Sequence, residues 1–120
     1  MAMLRNISLL SVLILVSCAG PYTEKDNGSS VELSVNDTFE VILNGDLNSE
    51  YFWQLENPNS FVKLDSAPSL KTKDDQIEYT FRFKATGQGK EKILFVYTNG
   101  VKIEKTFELL MVIGTLGPIL

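Results

Sequence analysis

The sequence contains no histidine and only one cysteine among its 120 residues. The missing imidazole excludes a histidine-based catalytic triad and any metal site with a histidine ligand. The single cysteine, Cys18, cannot close a disulfide within the chain, so stability must come from packing. After the N-terminal region no segment has the hydrophobic period of a helix, and the length allows one domain with one core.

Acidic residues outnumber basic ones by 15 to 11, which gives a formal net charge of −4. Nucleic acids and anionic lipid headgroups both repel a negatively charged surface. We therefore expect no nucleic-acid partner and no membrane binding through surface charge.

The N-terminal region has the pattern of an export signal. Arg5 provides a short positive region, and the apolar run from Leu9 to Val16 is too short to span a bilayer. The following Leu15-Val16-Ser17-Cys18 resembles the lipobox of bacterial lipoproteins, in which the cysteine is acylated. We predict a lipoprotein signal peptide over residues 1–17 and lipidation of Cys18. The alternative is an ordinary secretory signal with an incidental cysteine.

Cleavage before Cys18 removes Arg5, leaving 10 basic residues against 15 acidic ones and a net charge of −5. The predicted location is the bacterial cell envelope, with a lipid anchor in a membrane. In some bacteria an aspartate directly after the lipidated cysteine marks retention in the inner membrane. Here that position is Ala19, which favours the outer membrane if the organism has one. Residues 18–30 are polar and are predicted to form a flexible tether between lipid and domain.

Residues 31–113 alternate apolar and polar side chains with period two, which is typical of half-buried β-strands. The predicted strands lie near 31–35, 39–43, 51–55, 61–64, 77–85, 93–97 and 103–111. Turn signals separate them, among them Asn36-Asp37 and Asn99-Gly100, the second favouring a two-residue type I′ turn. Residues 65–76 are polar and predict a long loop or a poorly paired edge. An apolar tail, 114–120, follows.

About seven short strands without helices predict an all-β fold, an immunoglobulin-like antiparallel β-sandwich, with Trp53 in its core. The candidate acid–base residues all lie in polar loops, where solvated charge is the expected role: Asp46, Glu50, Asp65, Asp74 and Asp75. No serine has a base partner and no glycine-rich phosphate loop is present. We predict a non-enzyme, monomeric, with no cofactor and no metal.

The order of the strand residues resembles that of the chagasin family, the immunoglobulin-like inhibitors of papain-like cysteine proteases. The resemblance covers about residues 31–113 and is carried by Tyr51-x-Trp53, Phe81-x-Phe83, Ala85-Thr86-Gly87, Ile93-x-Phe95-x-Tyr97 and Thr106-Phe107. It implies that three loops at one end of the sandwich enter or flank the protease cleft.

The first inhibitory loop of the family reads Asn-Pro-Thr-Thr-Gly-Tyr-x-Trp. Tyr51 and Trp53 match it, and Ser49 keeps a hydroxyl at the second threonine. The remaining positions differ: Asp46, Leu47 and Asn48 stand at Asn, Pro and the first Thr, and Glu50 stands at a glycine that can require positive φ. For Trp53 we favour core packing over a protease contact.

The other two loops have lost the family's residues. The second, Gly-x-Gly-Gly in the family, falls near Asp74 to Ile77 without a glycine, and the third, Arg-Pro-Trp, is replaced after Tyr97. The resemblance thus implies a protease-binding set of Asp46, Leu47, Asn48, Ser49, Glu50, Tyr51, Asp74, Asp75, Gln76, Thr98, Asn99, Gly100 and Val101.

Two functions remain open at this point. The first is a lipid-anchored inhibitor of papain-like cysteine proteases that occludes the active-site cleft reversibly. The second is a non-inhibitory envelope lipoprotein that uses the same scaffold to bind another protein. The missing tryptophan in the third loop motivates the second, because such an aromatic anchor is typically worth about 2 kcal/mol or more at an interface.

Overall fold

The computed structural model describes residues 20–56 and 60–114. The signal peptide, Cys18 and the apolar tail after Gly114 lie outside the described residues, as does the predicted turn at 57–59. Within the described ranges no helix is long and apolar enough to cross a membrane. The described residues form eight strands: β1 (Ser30–Ser34), β2 (Thr38–Asp46), β3 (Phe52–Leu55), β4 (Val62–Leu64), β5 (Ser69–Lys73), β6 (Gln76–Ala85), β7 (Gly89–Thr98) and β8 (Ile103–Gly114).

The strands form two sheets, which confirms the predicted sandwich. One sheet has the order β1-β8-β7-β3, and the other has the order β2-β6-β4, with β5 also paired to β6. The ladders between these described strands are antiparallel except for β1 and β8, which run parallel. The sequence predicts an antiparallel sheet throughout, so this parallel pair is a difference.

The period-two pattern correctly predicts the inward faces of the strands. In β6, Tyr79, Phe81, Phe83 and Ala85 are buried, while Arg82 between them is exposed. The aromatic rings of the two sheets meet in the middle, and the rings of Phe81 and Phe95 lie 4.7 Å apart between centroids. Burying one such phenylalanine side chain contributes about 1.5–3 kcal/mol. Trp53 is 5% exposed, which confirms its place in the core.

Residues 65–76 contain a strand that the sequence does not predict. All five residues of β5 are exposed, and they pair with β6 from Ser69↔Thr80 to Lys73↔Gln76. β6 is ten residues long, and β4 pairs with only its last three. The remaining backbone groups on that edge need hydrogen-bond partners, and β5 supplies them. An edge strand is therefore present, but it pairs with β6 along its whole length, so the predicted long loop and the predicted poor pairing are both wrong.

Residues 22–29 also differ from the predicted flexible tether. Tyr22 forms a parallel bridge with Val41, donating its N–H to the Glu40 carbonyl at 2.9 Å and accepting from the Ile42 N–H at 2.8 Å. A short 3₁₀ turn follows at Glu24–Asp26. We call residues 22–29 the strap, because they cross from β2 to β8.

The strap is held at both ends by its side chains. A Glu24 carboxylate oxygen accepts from the Asn44 N–H at 2.9 Å, at the β2 edge. The Asn27 side-chain oxygen accepts from the Glu108 N–H at 2.8 Å, and Gly28 donates to the Glu108 carbonyl at the same distance. These groups satisfy edges of both sheets that strand pairing leaves open. Sequence composition alone cannot reveal this, since polar side chains are common to tethers and edge caps.

Candidate functional site

Three connections meet at one end of the sandwich, which we call the loop end. They are the β2–β3 loop (residues 47–51), the β5–β6 turn (residues 74 and 75) and the β7–β8 loop (residues 99–102). Within one sheet the pair Asp46↔Gln76 places the β2–β3 loop beside the β5–β6 turn, and within the other the pair Phe52↔Thr98 places it beside the β7–β8 loop. All thirteen residues of the predicted protease-binding set therefore lie at or next to this end, although they are spread over more than 50 positions of the sequence.

The β2–β3 loop is ordered by its own polar groups. An Asp46 carboxylate oxygen accepts from the Asn48 N–H at 2.9 Å, and the Asp46 carbonyl accepts from the Ser49 N–H at 3.2 Å. The Ser49 hydroxyl oxygen accepts from the Tyr51 N–H at 2.9 Å, which fixes the entry into β3. Leu47 projects a side chain that is 44% exposed from the same loop.

Glu50 fits this loop without backbone strain. Among the described residues other than glycine, only Asn36 and Asp74 have positive φ. The glycine that the family has at position 50 is therefore not required here for a left-handed conformation, and Glu50 places its carboxylate on the exposed surface.

The base of the β2–β3 loop rests on aromatic side chains. The Tyr97 hydroxyl accepts from the Asp46 N–H at 3.0 Å, and the Trp53 indole N–H donates to the Asn44 carbonyl at 3.0 Å. The Tyr97 ring lies 5.1 Å from that of Trp53 and 5.7 Å from that of Tyr51. Tyr51 and Trp53 thus support the loop from below, as expected for Trp53.

Gly45 completes this base, and sequence reasoning missed it. A Cβ at this position would lie 3.1 Å from the Tyr97 hydroxyl and 3.2 Å from the nearest Tyr79 ring carbon. A glycine inside a strand often marks such a close approach, which is the signal that could have found it.

Burial raises the pKa of Tyr79, and a hydrogen bond with the Trp53 backbone partly opposes that rise.

The β7–β8 loop differs from the predicted type I′ turn. The pair Thr98↔Ile103 encloses four residues, and positive φ occurs at Gly100 but not at Asn99. The Asn99 side-chain oxygen instead accepts from the N–H groups of Val101 and Lys102, at 2.9 and 2.8 Å. This side-chain cap stabilises a wider loop than the two-residue turn that Asn-Gly usually forms.

Within the predicted set, Thr98 and Val101 have opposite environments. Thr98 is 6% exposed, and its hydroxyl donates to the Lys102 carbonyl at 2.6 Å and accepts from the Gly100 N–H at 2.9 Å. It supports the loop from inside and offers almost no surface. Val101 is 88% exposed and is the most prominent apolar side chain of this loop.

An open groove of about 640 Å³ separates the β2–β3 loop from the start of β8. Ser49, Tyr51 and Tyr97 line one part of it, and Lys102 and Ile103 line another. Asp65, one of the candidate acid–base residues, lies elsewhere and pairs with Arg82 at 3.2 Å. Within residues 20–56 and 60–114, no group of three or more histidine, cysteine or acidic side chains could hold a metal ion.

An immunoglobulin-like sandwich with three ordered loops at one end is a scaffold that presents a protein-binding surface. The model for the chagasin family of peptidase inhibitors, I42, matches residues 32–109. The chain therefore belongs to the chagasin family. Membership in a family of inhibitors confirms that the protein is not an enzyme.

Three solved structures share the fold. The cysteine protease inhibitor EhICP2 from Entamoeba histolytica has 21% identity and a TM-score of 0.68, over 79% of this chain and 94% of that chain. Amebosin has 20% identity and a TM-score of 0.61, over 82% and 100%. PbICP-C, solved in complex with falcipain-2, has 12% identity and a TM-score of 0.57, over 80% and 100%. No curated protein matches the sequence at a significant level.

Proposed function

We propose that the protein inhibits papain-like cysteine proteases by occluding the active-site cleft with its loop end. The β2–β3 loop enters the cleft, and the β5–β6 turn and the β7–β8 loop flank it. The observation that carries the proposal is membership of the chagasin family, combined with three hydrogen-bonded loops at one end of the sandwich. One similar structure, PbICP-C, was solved together with falcipain-2, which is the kind of partner expected.

The order within the loops favours inhibition over cleavage. Each flexible residue that becomes fixed on binding costs about 1–2 kcal/mol of backbone entropy. The β2–β3 loop already has its backbone N–H groups at Asn48, Ser49 and Tyr51 bonded inside the loop. A loop ordered before binding loses little entropy in the cleft, and it resists the extended conformation that proteolysis requires. The mechanism needs no covalent bond, so inhibition is reversible.

The test is a titration of papain or a cathepsin with the purified protein, followed through hydrolysis of a fluorogenic peptide. Ser49→Arg should weaken inhibition at least thirtyfold, because a bulky cation replaces the loop-closing hydroxyl at the centre of the interface; that factor corresponds to about 2 kcal/mol. Gln88→Arg is the matched control, since it adds the same side chain at an exposed position at the opposite end. Absence of inhibition at tens of micromolar protein would contradict the proposal.

A non-inhibitory role in protein binding is the second candidate, and one observation favours it. The β7–β8 loop lacks the tryptophan that the family resemblance implies, and its exposed apolar side chain is Val101, which can bury much less surface than a tryptophan. Under this alternative, the Ser49→Arg and Gln88→Arg proteins and the wild type would all leave the protease fully active. A pull-down with the purified protein would recover a non-protease envelope protein.

We also propose that Cys18 carries lipid and anchors the domain in a bacterial envelope membrane. The lipobox sequence supports this, and the direction of the strap bears on where the loop end would then point. Tyr22 pairs in parallel with Val41, and β2 then runs towards the loop end. The four residue steps from Cys18 to Tyr22 span at most about 14 Å. A lipid at Cys18 would thus hold the domain close to the membrane with the loop end directed away from it.

Lipidation is tested by expression of the full chain in a bacterium with an alkyne-labelled fatty acid. The wild type should incorporate the label and sediment with membranes, and Cys18→Ala should do neither. Equal, label-free recovery of both proteins from the soluble fraction would contradict the anchor without affecting the inhibitory proposal.

A further inference from the structure

The β2–β3 loop is bonded to the β5–β6 turn as well as to itself. The Leu47 N–H donates to the Asp75 carbonyl at 2.8 Å, and the Asn48 side-chain amide donates to an Asp75 carboxylate oxygen at 3.4 Å. One residue of the turn thus contacts two consecutive residues of the loop. The first of these bonds continues the β2–β6 ladder one step beyond the pair Asp46↔Gln76.

The turn that carries Asp75 is itself tightly constrained. Lys73 pairs with Gln76, so the hairpin closes over only two residues. Asp74 has φ of 58°, in the left-handed region that aspartate, asparagine and glycine adopt most readily. On its other side, β6 forms a nine-pair ladder with β2. Asp75 is therefore fixed with respect to the strand from which the β2–β3 loop leaves.

We propose that the Asp74–Asp75 turn is a positioning element that holds the β2–β3 loop in its binding conformation through the carbonyl and carboxylate of Asp75. The inference rests on the proposed inhibitory function and deepens it. The family resemblance implies that this segment contacts the protease directly. In addition to flanking the cleft, the turn acts through the loop, and for this second role its left-handed backbone matters more than the charge of Asp74.

The expected loss of affinity depends on the fraction of molecules that have the β2–β3 loop in its binding conformation. When only a fraction of molecules has the loop in its binding conformation, the apparent affinity falls by that same fraction. Loss of the Asp75 contacts leaves the Leu47 N–H and the Asn48 side-chain amide without their partners in the turn. If the ordered fraction falls to one tenth, inhibition weakens about tenfold, which corresponds to about 1.4 kcal/mol, mainly through slower association.

The decisive variants change the backbone preference at Asp74 and leave Asp75 intact. Asp74→Pro fixes φ near −65° and is incompatible with the turn, while Asp74→Val disfavours positive φ more mildly if the proline variant does not fold. Asp74→Asn and Asp74→Gly are the controls, because both residues adopt positive φ but lack the charge. Each variant is examined in two ways: association and dissociation rates with a papain-like protease, and amide hydrogen exchange read by NMR at Leu47 and at core Phe83.

Asp74→Pro or Asp74→Val should weaken inhibition about tenfold and speed exchange at the Leu47 amide about tenfold, with exchange at Phe83 unchanged. Asp74→Asn and Asp74→Gly should leave exchange at the Leu47 amide within about twofold of the wild type, and any loss of affinity that they cause should be clearly smaller than that in Asp74→Pro or Asp74→Val. Retained affinity despite a deprotected Leu47 amide would overturn the proposal, and so would an equal loss of affinity in Asp74→Asn. If the wild type inhibits no protease, the proposed function fails, and exchange at Leu47 still decides whether the turn orders the loop.

Discussion

Glu91 offers a sharp test of how the end opposite the loops is held together. Its carboxylate accepts three consecutive backbone N–H groups, from Ser60 at 2.6 Å, Phe61 at 2.7 Å and Val62 at 3.1 Å. One side chain of β7 therefore positions the chain as it enters β4. Glu91→Ala removes both acceptor oxygens, and with them all three bonds, and leaves those N–H groups to find water.

The magnitude follows from the number and exposure of these bonds. A hydrogen bond to a charged group contributes about 1.5–3 kcal/mol when buried. Phe61 and Glu91 are only half-buried, so water can replace part of the loss. We expect Glu91→Ala to lower the free energy of unfolding by about 2–3 kcal/mol and the melting temperature by about 10 °C or more. Glu91→Gln, which keeps one acceptor oxygen, should lose less.

The assay is urea unfolding followed by the fluorescence of Trp53, the only tryptophan, which is 5% exposed in the folded state. Glu32→Ala is the matched control at an exposed position in β1 and should change stability by less than about 0.5 kcal/mol. At a temperature where the Glu91 variants remain folded, inhibition should equal that of the wild type. A stability change no larger than in Glu32→Ala would refute the reasoning, and weakened inhibition by folded protein would show that the two ends are coupled.

Three further outcomes are expected. Tyr97→Phe removes the acceptor of the Asp46 N–H and should cost about 1 kcal/mol in urea unfolding, with weaker protease inhibition; unchanged inhibition would show that the loop does not need this support. Asn27→Ala removes the cap on the Glu108 N–H and should cost about 1 kcal/mol in urea unfolding, whereas no loss would mean that this cap contributes nothing to stability. Burial raises the pKa of Tyr79 above its ordinary value of 10.0, so the tyrosine loses its proton at lower pH in the unfolded chain than in the folded one. The free energy of unfolding should therefore fall as pH rises through and above about 10. A melting temperature that does not change with pH in this range would contradict this.

The core-facing residues of the strands were predictable because a strand with one buried face alternates apolar and polar residues along its own sequence. β6 alternates with hardly an exception, so its inward face could be assigned from Tyr79, Phe81 and Phe83 without knowing its neighbours. Trp53 and the turn at Asn36, whose φ is 81°, were predictable for the same local reason.

The missed elements are those whose order depends on distant partners. β5 buries none of its residues and exists because β6 extends beyond β4. The strap was predicted to be a tether because its sequence is polar. Its side chains in fact accept hydrogen bonds from the backbone N–H groups of Asn44 and Glu108, which sequence composition does not reveal. At the loop end, the resemblance identified the residues, but the bond from Leu47 to Asp75 joins positions 28 apart and follows only from the fold.

The central claim is that the loop end fills the active-site cleft of a papain-like cysteine protease. The most direct measurement is the apparent inhibition constant at increasing concentrations of a peptide substrate, with the inhibitor examined by mass spectrometry afterwards. We predict an apparent constant that is micromolar or tighter at low substrate and rises linearly with substrate concentration, and an uncleaved β2–β3 loop. An inhibition constant independent of substrate, a chain cut between residues 47 and 51, or full protease activity at tens of micromolar inhibitor would contradict it.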